Sequence, residues 1–292
     1  MPLLGQDILG ALSQRIAILG PGLIGGSLAL ALAQSRPAWQ VSVWARREEA
    51  ASEASGLLPH AKVSSDLAVA VGECDLAVLC ISPHAIAAIG PQLKSLLPKN
   101  AIVTDAGSVK ENIVSSLHAE LGGRFIGAHP MAGSEQSGIR AARTDLFQGA
   151  VCILTPTPDS DPAAVDAVRD FWEAVGCKLH EMSPAAHDHA IARVSHLPHA
   201  AAASLVHAAL SGNPHVVELA GGGYRDSTRI AASAPAMWAE ILLDNKSEVI
   251  EGIADLQSSL ETLKIALQCG DKNALEDFLS VARTLRYNQP QI

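Results

Sequence analysis

The chain is poor in aromatic and charged side chains and contains no long basic run. Aromatic residues make up 3% of its 292 residues and charged residues 17%, whereas hydrophobic residues make up 48%. Its formal net charge is −9, and a protein without a basic patch lacks the electrostatic footprint of a nucleic-acid or anionic-membrane binder. The composition therefore predicts a compact globular protein with neither of these partners.

Disulfides, a secretory signal and a membrane span are not indicated either. The five cysteines are scattered, odd in number and without a C-x-x-C pair, so we interpret them as reduced thiols. The segment before Arg15 has no basic start, and no apolar run approaches the ~20 residues of a membrane span. We therefore expect a soluble protein of the cytoplasm.

The stretch from Arg15 to Ala33 is the strongest local signal in the chain. An apolar run typical of a buried strand leads into a G-x-G-x-x-G turn and then into a small, apolar helix. In such a turn the first glycine bends tightly, the second admits a pyrophosphate and the third allows close packing. The N–H groups at the helix start attract the anion. The predicted cofactor residues of this turn are Gly20, Gly22, Leu23, Ile24 and Gly25.

The next predicted strand, Val41 to Trp44, lacks at its end the acidic residue that usually binds the ribose hydroxyls of NAD. Arg46 and Arg47 stand there instead, and guanidinium groups pair well with phosphate. We therefore predict NADP as the preferred cofactor and NAD as the other possibility. The alternative interpretation is a solvated basic pair neutralised by Glu48 and Glu49.

Short apolar runs alternate with helical patterns as far as about residue 183, which predicts an α/β fold of the Rossmann type with a doubly wound parallel sheet. Ligands of such sheets bind at the carboxyl ends of the strands. Ser82, Pro83 and Asp105 stand at such ends and are further cofactor candidates. Ser108 and His129 stand at comparable places and are candidates for chemistry.

Beyond Ser183 the pattern is helical throughout, with Ser183 as a predicted N-cap and Pro184 in the first turn. We predict a dinucleotide-binding Rossmann domain over residues 14–183 and an all-α substrate and dimerisation domain over residues 184–292. The apolar stretch from Ala200 to Leu210 is one of several that a small bundle would not bury alone. We therefore predict a homodimer formed through the helical domain.

His129 is the first catalytic candidate. It lies within GAHPMAGSE, where two glycines and a proline surround a histidine at a predicted strand end. A histidine can take a proton from a hydroxyl group while a hydride leaves the same carbon. A histidine that satisfies backbone groups in a tight turn is the other interpretation, and the residues alone leave both open.

A second cluster combines four histidines and an aspartate at the start of the helical region: His187, Asp188, His189, His196 and His199. The helical spacings are mixed, and no cysteine or second carboxylate joins them, so we predict no metal site. We expect His199 to contact substrate or cofactor and His196 to be structural.

A third cluster is the glycine run from Gly221 to Gly223, which leads to Arg225 and Arg229. It predicts a carboxylate-binding loop, in which the apolar segment after Arg229 would orient that side chain inward. A solvated loop followed by a helix that starts at Arg229 is the alternative.

With these clusters in this order, the chain resembles the prephenate and arogenate dehydrogenases of tyrosine biosynthesis. The resemblance extends from about Arg15 to Arg286 through GPGLIGGSLA, DAGSVK, GAHPMAGSE, HD, SHLPH, GGGYRDSTRIA and MWAEI. It implies NAD(P)-dependent oxidative decarboxylation of prephenate to 4-hydroxyphenylpyruvate, of arogenate to tyrosine, or of both by a dual-specificity cyclohexadienyl dehydrogenase. The small-molecule substrate is in either case a cyclohexadienol.

The resemblance also implies roles for individual residues. His129 resembles the catalytic histidine that binds the ring hydroxyl, Ser108 the serine that orients it, and Arg229 the arginine that holds the ring carboxylate. Because prephenate is a dianion, we expect a protonated His199 to assist Arg229. A carboxylate such as Asp188 would favour the ammonium group of arogenate. The implied substrate contacts are Arg229, His199, Glu135, Asp188 and Ser134.

Two other functions stay open. A dehydrogenase of the β-hydroxyacid type would need a catalytic lysine on the helix between the domains, whereas the helix after Ser183 offers histidines. A non-catalytic NADP-sensing protein would bind the cofactor through Arg46 and Arg47 without turnover.

Overall fold

The computed structural model describes residues 14–134 and 136–288, so the substrate candidate Glu135 lies outside the described residues. Within them, eight strands form one sheet in the order β3-β2-β1-β4-β5-β6-β7-β8. The strands are β1 (Arg15–Leu19), β2 (Gln40–Trp44), β3 (Ala61–Ser64), β4 (Leu76–Leu79), β5 (Ile102–Asp105), β6 (Phe125–Pro130), β7 (Val151–Thr155) and β8 (Lys178–Glu181).

The sheet is mostly parallel. Strands β1 to β6 run in one direction, whereas β7 runs antiparallel to β6 and parallel to β8. After β3 the chain returns to the other side of β1, and such a reversal leaves a crevice at the carboxyl ends of β1 and β4. The predicted α/β fold is confirmed, with a reversed pair of strands at one edge.

Helices cover both faces of this sheet. Six of them belong to this part of the chain: α1 (Leu23–Ser35), α2 (Glu48–Leu57), α3 (Leu67–Val71), α4 (Pro83–Leu96), α5 (Glu111–Leu121) and α6 (Pro162–Ala174). Successive residues of β1 alternate between two cores, with Ile16 and Ile18 packed on the side of α1 and α6. Ala17 and Leu19 pack on the side of α3, α4 and α5. Burial on both faces explains why the strand sequences are continuously apolar.

The described chain after β8 contains helices and no strand, as predicted. These helices are α7 (Pro184–Ile191), α8 (Leu197–Leu210), α9 (Gly222–Thr228), α10 (Pro235–Asp244), α11 (Lys246–Cys269) and α12 (Lys272–Tyr287). The Ser183 hydroxyl caps α7 by accepting a hydrogen bond from the amide of Ala186 at 3.2 Å. A π-helical turn, Ala192–His196, joins α7 to α8, and such turns are frequent at functional sites.

The glycine run before Arg229 is helical, so the predicted loop is wrong. Helix α9 begins at Gly222, and a 3₁₀ turn, Arg229–Ala232, follows it. Both segments pack against α8, and the Thr228 hydroxyl donates to the carbonyl of Tyr224 at 2.6 Å. Tertiary packing here overrides the low helix propensity of glycine.

The described residues up to Asn245 form one compact unit, and those from Lys246 onward form a second, in which α11 packs against α12. The predicted domain boundary between residues 183 and 184 stays a prediction. Among the described residues, no helix is both long enough and apolar enough to cross a membrane.

Candidate active site

The glycine turn after β1 has the geometry that a dinucleotide turn requires. Gly20 adopts φ +106°, and a Cβ atom there would lie 2.5 Å from the carbonyl oxygen of Cys80. A Cβ at Gly25 would collide with the carbonyl oxygen of Gly20, so only glycine fits at these two places. At Gly22 an added Cβ would meet no atom within 4 Å. The open space above Gly22 is therefore accessible to a ligand.

Helix α1 begins directly at this turn. Gly22 occupies its N-cap position, and no side chain caps its first turn. The first amide N–H groups, which include those of Leu23 and Ile24, have no acceptor within the helix. The helix dipole adds positive charge at the same end. These residues therefore fit the pyrophosphate of a dinucleotide cofactor.

A cavity of about 310 Å³ lies beside the turn and is lined by Gly20, Trp44, Arg46, Arg47 and Ser82 among others. Both guanidinium groups are exposed, and within residues 14–134 and 136–288 they form no ion pair. The carboxylate of Glu48 instead accepts a hydrogen bond from the Ser65 hydroxyl at 2.6 Å. The arginines are thus not neutralised by Glu48, and the cavity holds an excess of positive charge.

Asp105 ends β5 as a fully buried carboxylate. Its Oδ1 accepts the amide N–H of Ala128 at 3.0 Å, and its Oδ2 accepts the amide N–H of Gly107 at 2.8 Å and the ammonium group of Lys110. The prediction that Asp105 contacts the cofactor is therefore wrong, because both of its oxygens are engaged inside the protein. Its role is to join β5 to the end of β6, next to His129.

His129 is buried near the end of β6, with 8% of its surface exposed. Its Nδ1 atom lies 2.9 Å from Nε2 of His187, a residue of α7. Burial lowers the pKa of His129 well below its ordinary value, and the neighbouring His187 and Lys110 lower it further. The imidazole is therefore neutral at neutral pH, which is the form that accepts a proton.

Asp188 belongs to α7, and its carboxylate contacts the start of α5. Its Oδ1 accepts from the amide of Lys110 at 2.8 Å and from Nδ1 of His187 at 2.7 Å, and its Oδ2 accepts from the amide of Glu111 at 2.9 Å. Burial acts to raise the pKa of Asp188, but the hydrogen bonds from His187 and the two amides outweigh it and keep that pKa below its ordinary value. The prediction that Asp188 contacts substrate is wrong, because this carboxylate instead holds His187 and the N-terminus of α5.

His199 stacks on Trp238, with ring centroids 3.5 Å apart and planes 8° from parallel. Burial lowers the pKa of His199, which disfavours the protonated form that was expected there. The Asn245 amide lies 3.2 Å from Nδ1 of His196 and donates to the carbonyl of Asp188 at 2.8 Å, which fits a structural role for His196. Burial also lowers the pKa of His196 to about 4.

Two family models match most of the chain. The model described as the nucleotide-binding domain of prephenate dehydrogenase matches residues 28–181, and the model described as its dimerization domain matches residues 183–281. The chain belongs to the prephenate dehydrogenase family. The resemblance found in the motifs is thereby confirmed, and the protein is an oxidoreductase that uses a nicotinamide cofactor and a small-molecule substrate.

Relatives within the prephenate dehydrogenase family match the chain nearly end to end. A cyclohexadienyl dehydrogenase of Zymomonas mobilis is 33% identical over 279 residues, 94% of this chain and 95% of the relative. A prephenate dehydrogenase of Bacillus subtilis is 32% identical over 288 residues, 97% of this chain and 78% of the relative. A crystal structure of prephenate dehydrogenase from A. aeolicus, in complex with hydroxyphenyl propionate and NAD+, has a TM-score of 0.87 at 35% identity, covering 95% of this chain and 99% of that one.

Three other candidate site residues lie in surroundings that differ from those expected. Arg229 is exposed, whereas Ile230, the next residue of the same 3₁₀ turn, is half-buried, so the expected inward orientation of Arg229 is wrong. Ser108 is half-buried, but the hydrogen-bond partner of Nδ1 of His129 is Nε2 of His187. Ser134 is exposed in a local turn with Gln136.

Ser82 and Pro83 form the start of α4. Ser82 occupies the N-cap position without a side-chain hydrogen bond to the helix, and Pro83 is buried in the first turn. The Ser82 side chain lines the cavity beside the glycine turn. Ser82 therefore stays a cofactor candidate, while Pro83 shapes the backbone beneath it.

Sequence reasoning missed Lys110 and Trp238 and left His187 without a role. Lys110 is fully buried, and its signal was a lysine inside DAGSVK, directly after a strand end. Trp238 belongs to MWAEI, a motif that supports the resemblance but does not indicate a role for the tryptophan. His187 directly precedes Asp188, but adjacent residues on a helix do not predict a shared hydrogen bond.

Proposed function

We propose that this protein catalyses the NADP-dependent oxidative decarboxylation of prephenate to 4-hydroxyphenylpyruvate. The observation that carries the proposal is His129, a buried neutral imidazole at the carboxyl edge of the same sheet whose strand β1 leads into the glycine turn. Family membership supports the reaction class. The A. aeolicus relative, which contains hydroxyphenyl propionate and NAD+, supports an aromatic product and a nicotinamide cofactor.

His129 acts as the general base in this proposal. A nicotinamide cofactor held at Gly22, Leu23 and Ile24 would supply the acceptor for the hydride of the ring carbon that bears the hydroxyl group. The imidazole takes the hydroxyl proton, because burial keeps it unprotonated at neutral pH. Loss of the ring carboxylate as CO₂ leaves an aromatic phenolate, which takes the proton back from His129 to become the phenol, and aromatisation supplies the driving force. The protein therefore needs to align the ring and remove one proton.

The substrate carboxylates need partners in a protein of net charge −9. We propose that Arg229 binds the ring carboxylate, since an exposed guanidinium can form a bidentate pair with it. His199 is stacked on Trp238 and burial lowers its pKa, so we propose that it contributes a hydrogen bond rather than a charge. Ser108, Ser134 and Glu135 remain proposed contacts of substrate or cofactor.

We propose NADP as the preferred cofactor. Gly22, Leu23 and Ile24 would hold its pyrophosphate, and Arg46 and Arg47 the 2′-phosphate of its adenosine. The engagement of Glu48 with Ser65 supports this proposal, because an acidic side chain free to face the ribose would repel a phosphate.

Prephenate is preferred over arogenate in this proposal. The two substrates differ by a keto group in place of an ammonium group, and selection of the ammonium would call for a free carboxylate. Asp188 was the candidate for that role, but both of its oxygens accept hydrogen bonds within the protein. Its engagement removes the reason to favour arogenate.

We also propose that residues 184–292 form the substrate and dimerisation domain of a homodimer. Helix α12 has no buried residue within the single chain, and it exposes Leu279, Val281, Leu285 and Tyr287 by 61% or more. A helix pair of this size buries too little apolar surface to be stable by itself. A monomeric mass in solution would contradict this proposal.

We propose the cytoplasm as the location of the protein. The five cysteines are free thiols, which supports this proposal.

The proposed function is tested by measuring nicotinamide reduction with each of the two substrates and each of the two cofactors. We expect the highest kcat/KM for prephenate with NADP. A higher value for arogenate or for NAD would refute that part of the proposal. Tight cofactor binding without turnover of either substrate would refute the enzymatic role and favour a cofactor sensor.

A further inference from the structure

We propose that His187 positions His129 for catalysis by holding it in the tautomer whose Nε2 atom carries no proton. That Nε2 atom is then the one that receives the proton of the substrate hydroxyl group. The inference rests on the proposed function, in which His129 is the base. It adds a second histidine, which acts through the first.

Asp188 determines which ring nitrogen of His187 carries a proton. Its two oxygens lie 2.8 Å and 2.9 Å from the amide nitrogens of Lys110 and Glu111, and Oδ1 lies 2.7 Å from Nδ1 of His187. Backbone amides can only donate, and two of them at the positive end of α5 stabilise an ionised carboxylate. Nδ1 of His187 is therefore the donor in its bond to Asp188.

The protonation of His187 in turn determines which ring nitrogen of His129 carries a proton. A neutral imidazole has one N–H group and one bare nitrogen, so Nε2 of His187 is an acceptor once Nδ1 holds the proton. Nε2 lies 2.9 Å from Nδ1 of His129, which must then donate. The single proton of neutral His129 is thus on Nδ1, and its Nε2 atom keeps a lone pair.

A doubly protonated His187 would reverse the order, because its Nε2 would donate and Nδ1 of His129 would have to accept. The proton of His129 would then occupy Nε2 and block it as a base. Burial lowers the pKa of His187, although its hydrogen bond to Asp188 opposes this. The charged and titratable groups that face the two histidines in the described structure are Lys110, Asp105, Asp188 and His196. The buried ammonium group of Lys110 disfavours a further positive charge here.

The same contacts also fix the orientation of the two rings. The centroids of His129 and His187 are 5.1 Å apart with planes tilted by 59°. His187 is held by Asp188, and the Asn245 amide in turn donates to the carbonyl of Asp188 at 2.8 Å. When His129 takes up a proton, its Nδ1–H bond to His187 becomes charge-assisted and therefore stronger.

Two substitutions of similar size separate positioning from packing. In His187→Gln the amide group reaches the place of Nε2 and can accept the Nδ1–H of His129. In His187→Asn it reaches only the place of Nδ1, so it can donate to Asp188 but does not contact His129. We expect kcat to fall about 100-fold or more in His187→Asn and to stay within about tenfold of wild type in His187→Gln. The KM for prephenate and the affinity for NADP should change by less than about threefold in both variants, because the lost interaction stabilises only the transition state.

Equal kcat values for the two variants, or a His187→Asn enzyme as active as wild type, would overturn the inference. The tautomer itself is measured on the wild-type protein by ¹⁵N NMR of labelled histidines, with His129 assigned from the signals absent in His129→Asn. We expect a protonated Nδ1 and a bare Nε2. A proton on Nε2 would overturn the inference alone, whereas full activity of His129→Asn would overturn the proposed function.

Discussion

Lys110 and Asp105 form an ion pair in which both side chains are fully buried. Asp105 also accepts the amide N–H of Ala128 at 3.0 Å, and Ala128 directly precedes His129 on β6. The pair thus links the end of β5 to the strand that presents the base. It also places a positive charge where it lowers the pKa of His129.

Lys110→Met should strongly destabilise the protein. The substitution leaves Asp105 buried without its cation, and breaking a buried pair in this way costs about 3–5 kcal/mol. The free energy of unfolding is measured by denaturant titration. Lys94→Met is the matched control, because Lys94 pairs with Glu120 at the surface and such pairs contribute about 0–1 kcal/mol. Equal stability of the two variants would contradict this interpretation.

Gly22→Ala should separate folding from cofactor binding. The backbone of Gly22, with φ −82° and ψ −161°, is open to alanine, and the added Cβ meets no protein atom within 4 Å. We expect the free energy of unfolding to change by less than about 1 kcal/mol, while the Kd for cofactor rises about tenfold or more as the methyl group fills the pyrophosphate site. Gly56→Ala, also in open space but in α2, is the control. An unchanged Kd in Gly22→Ala would place the pyrophosphate elsewhere.

The double substitution Arg46→Ala with Arg47→Ala should weaken NADP more than NAD. Hydrogen bonds to a charged phosphate contribute about 1.5–3 kcal/mol, so the Kd for NADP should rise about 10- to 100-fold. NAD lacks the 2′-phosphate, and its Kd should change little. Titration calorimetry with both cofactors measures the difference, with the exposed Arg36→Ala as a control outside the cavity. Equal effects on NADP and NAD would refute the phosphate contact.

The protein should lose stability as the pH falls below about 6.5. The pKa of His196 is lowered from 6.5 to about 4, so between these values the unfolded chain binds a proton that the folded chain does not. The free energy of unfolding therefore decreases as the pH falls through this interval, by about 3 kcal/mol in total from His196. Below the interval both states bind the proton, so His196 causes no further change. Denaturant titration at several pH values measures the slope, and His196→Gln should reduce it. An identical slope in that variant would contradict the assignment.

Features that depend on neighbouring residues were predictable from the sequence. The glycine turn, the strand ends and the cap at Ser183 each need only a few consecutive residues, and the structure has them at the predicted places. The position of His129 at the end of β6 follows in the same way.

Features that depend on distant residues were not predictable. His129 contacts a histidine 58 positions away, and Asp188 accepts an amide 78 positions away. Chain folding alone decides whether a carboxylate meets a ligand or a helix N-terminus, so Asp188 and Asp105 were both assigned to ligands. The helix over Gly222–Thr228 depends in the same way on its contact with α8.

His129 removes the proton from the substrate in the proposed reaction, and His129→Asn tests this role most directly. Asparagine keeps an amide near the place of Nδ1, where it can still donate to His187, and it removes Nε2. Steady-state turnover of prephenate with NADP, together with the Kd for NADP, is the measurement. We expect kcat to fall by about 10²- to 10⁴-fold while the Kd stays within about twofold of wild type. A variant whose kcat equals that of the wild type would contradict the account.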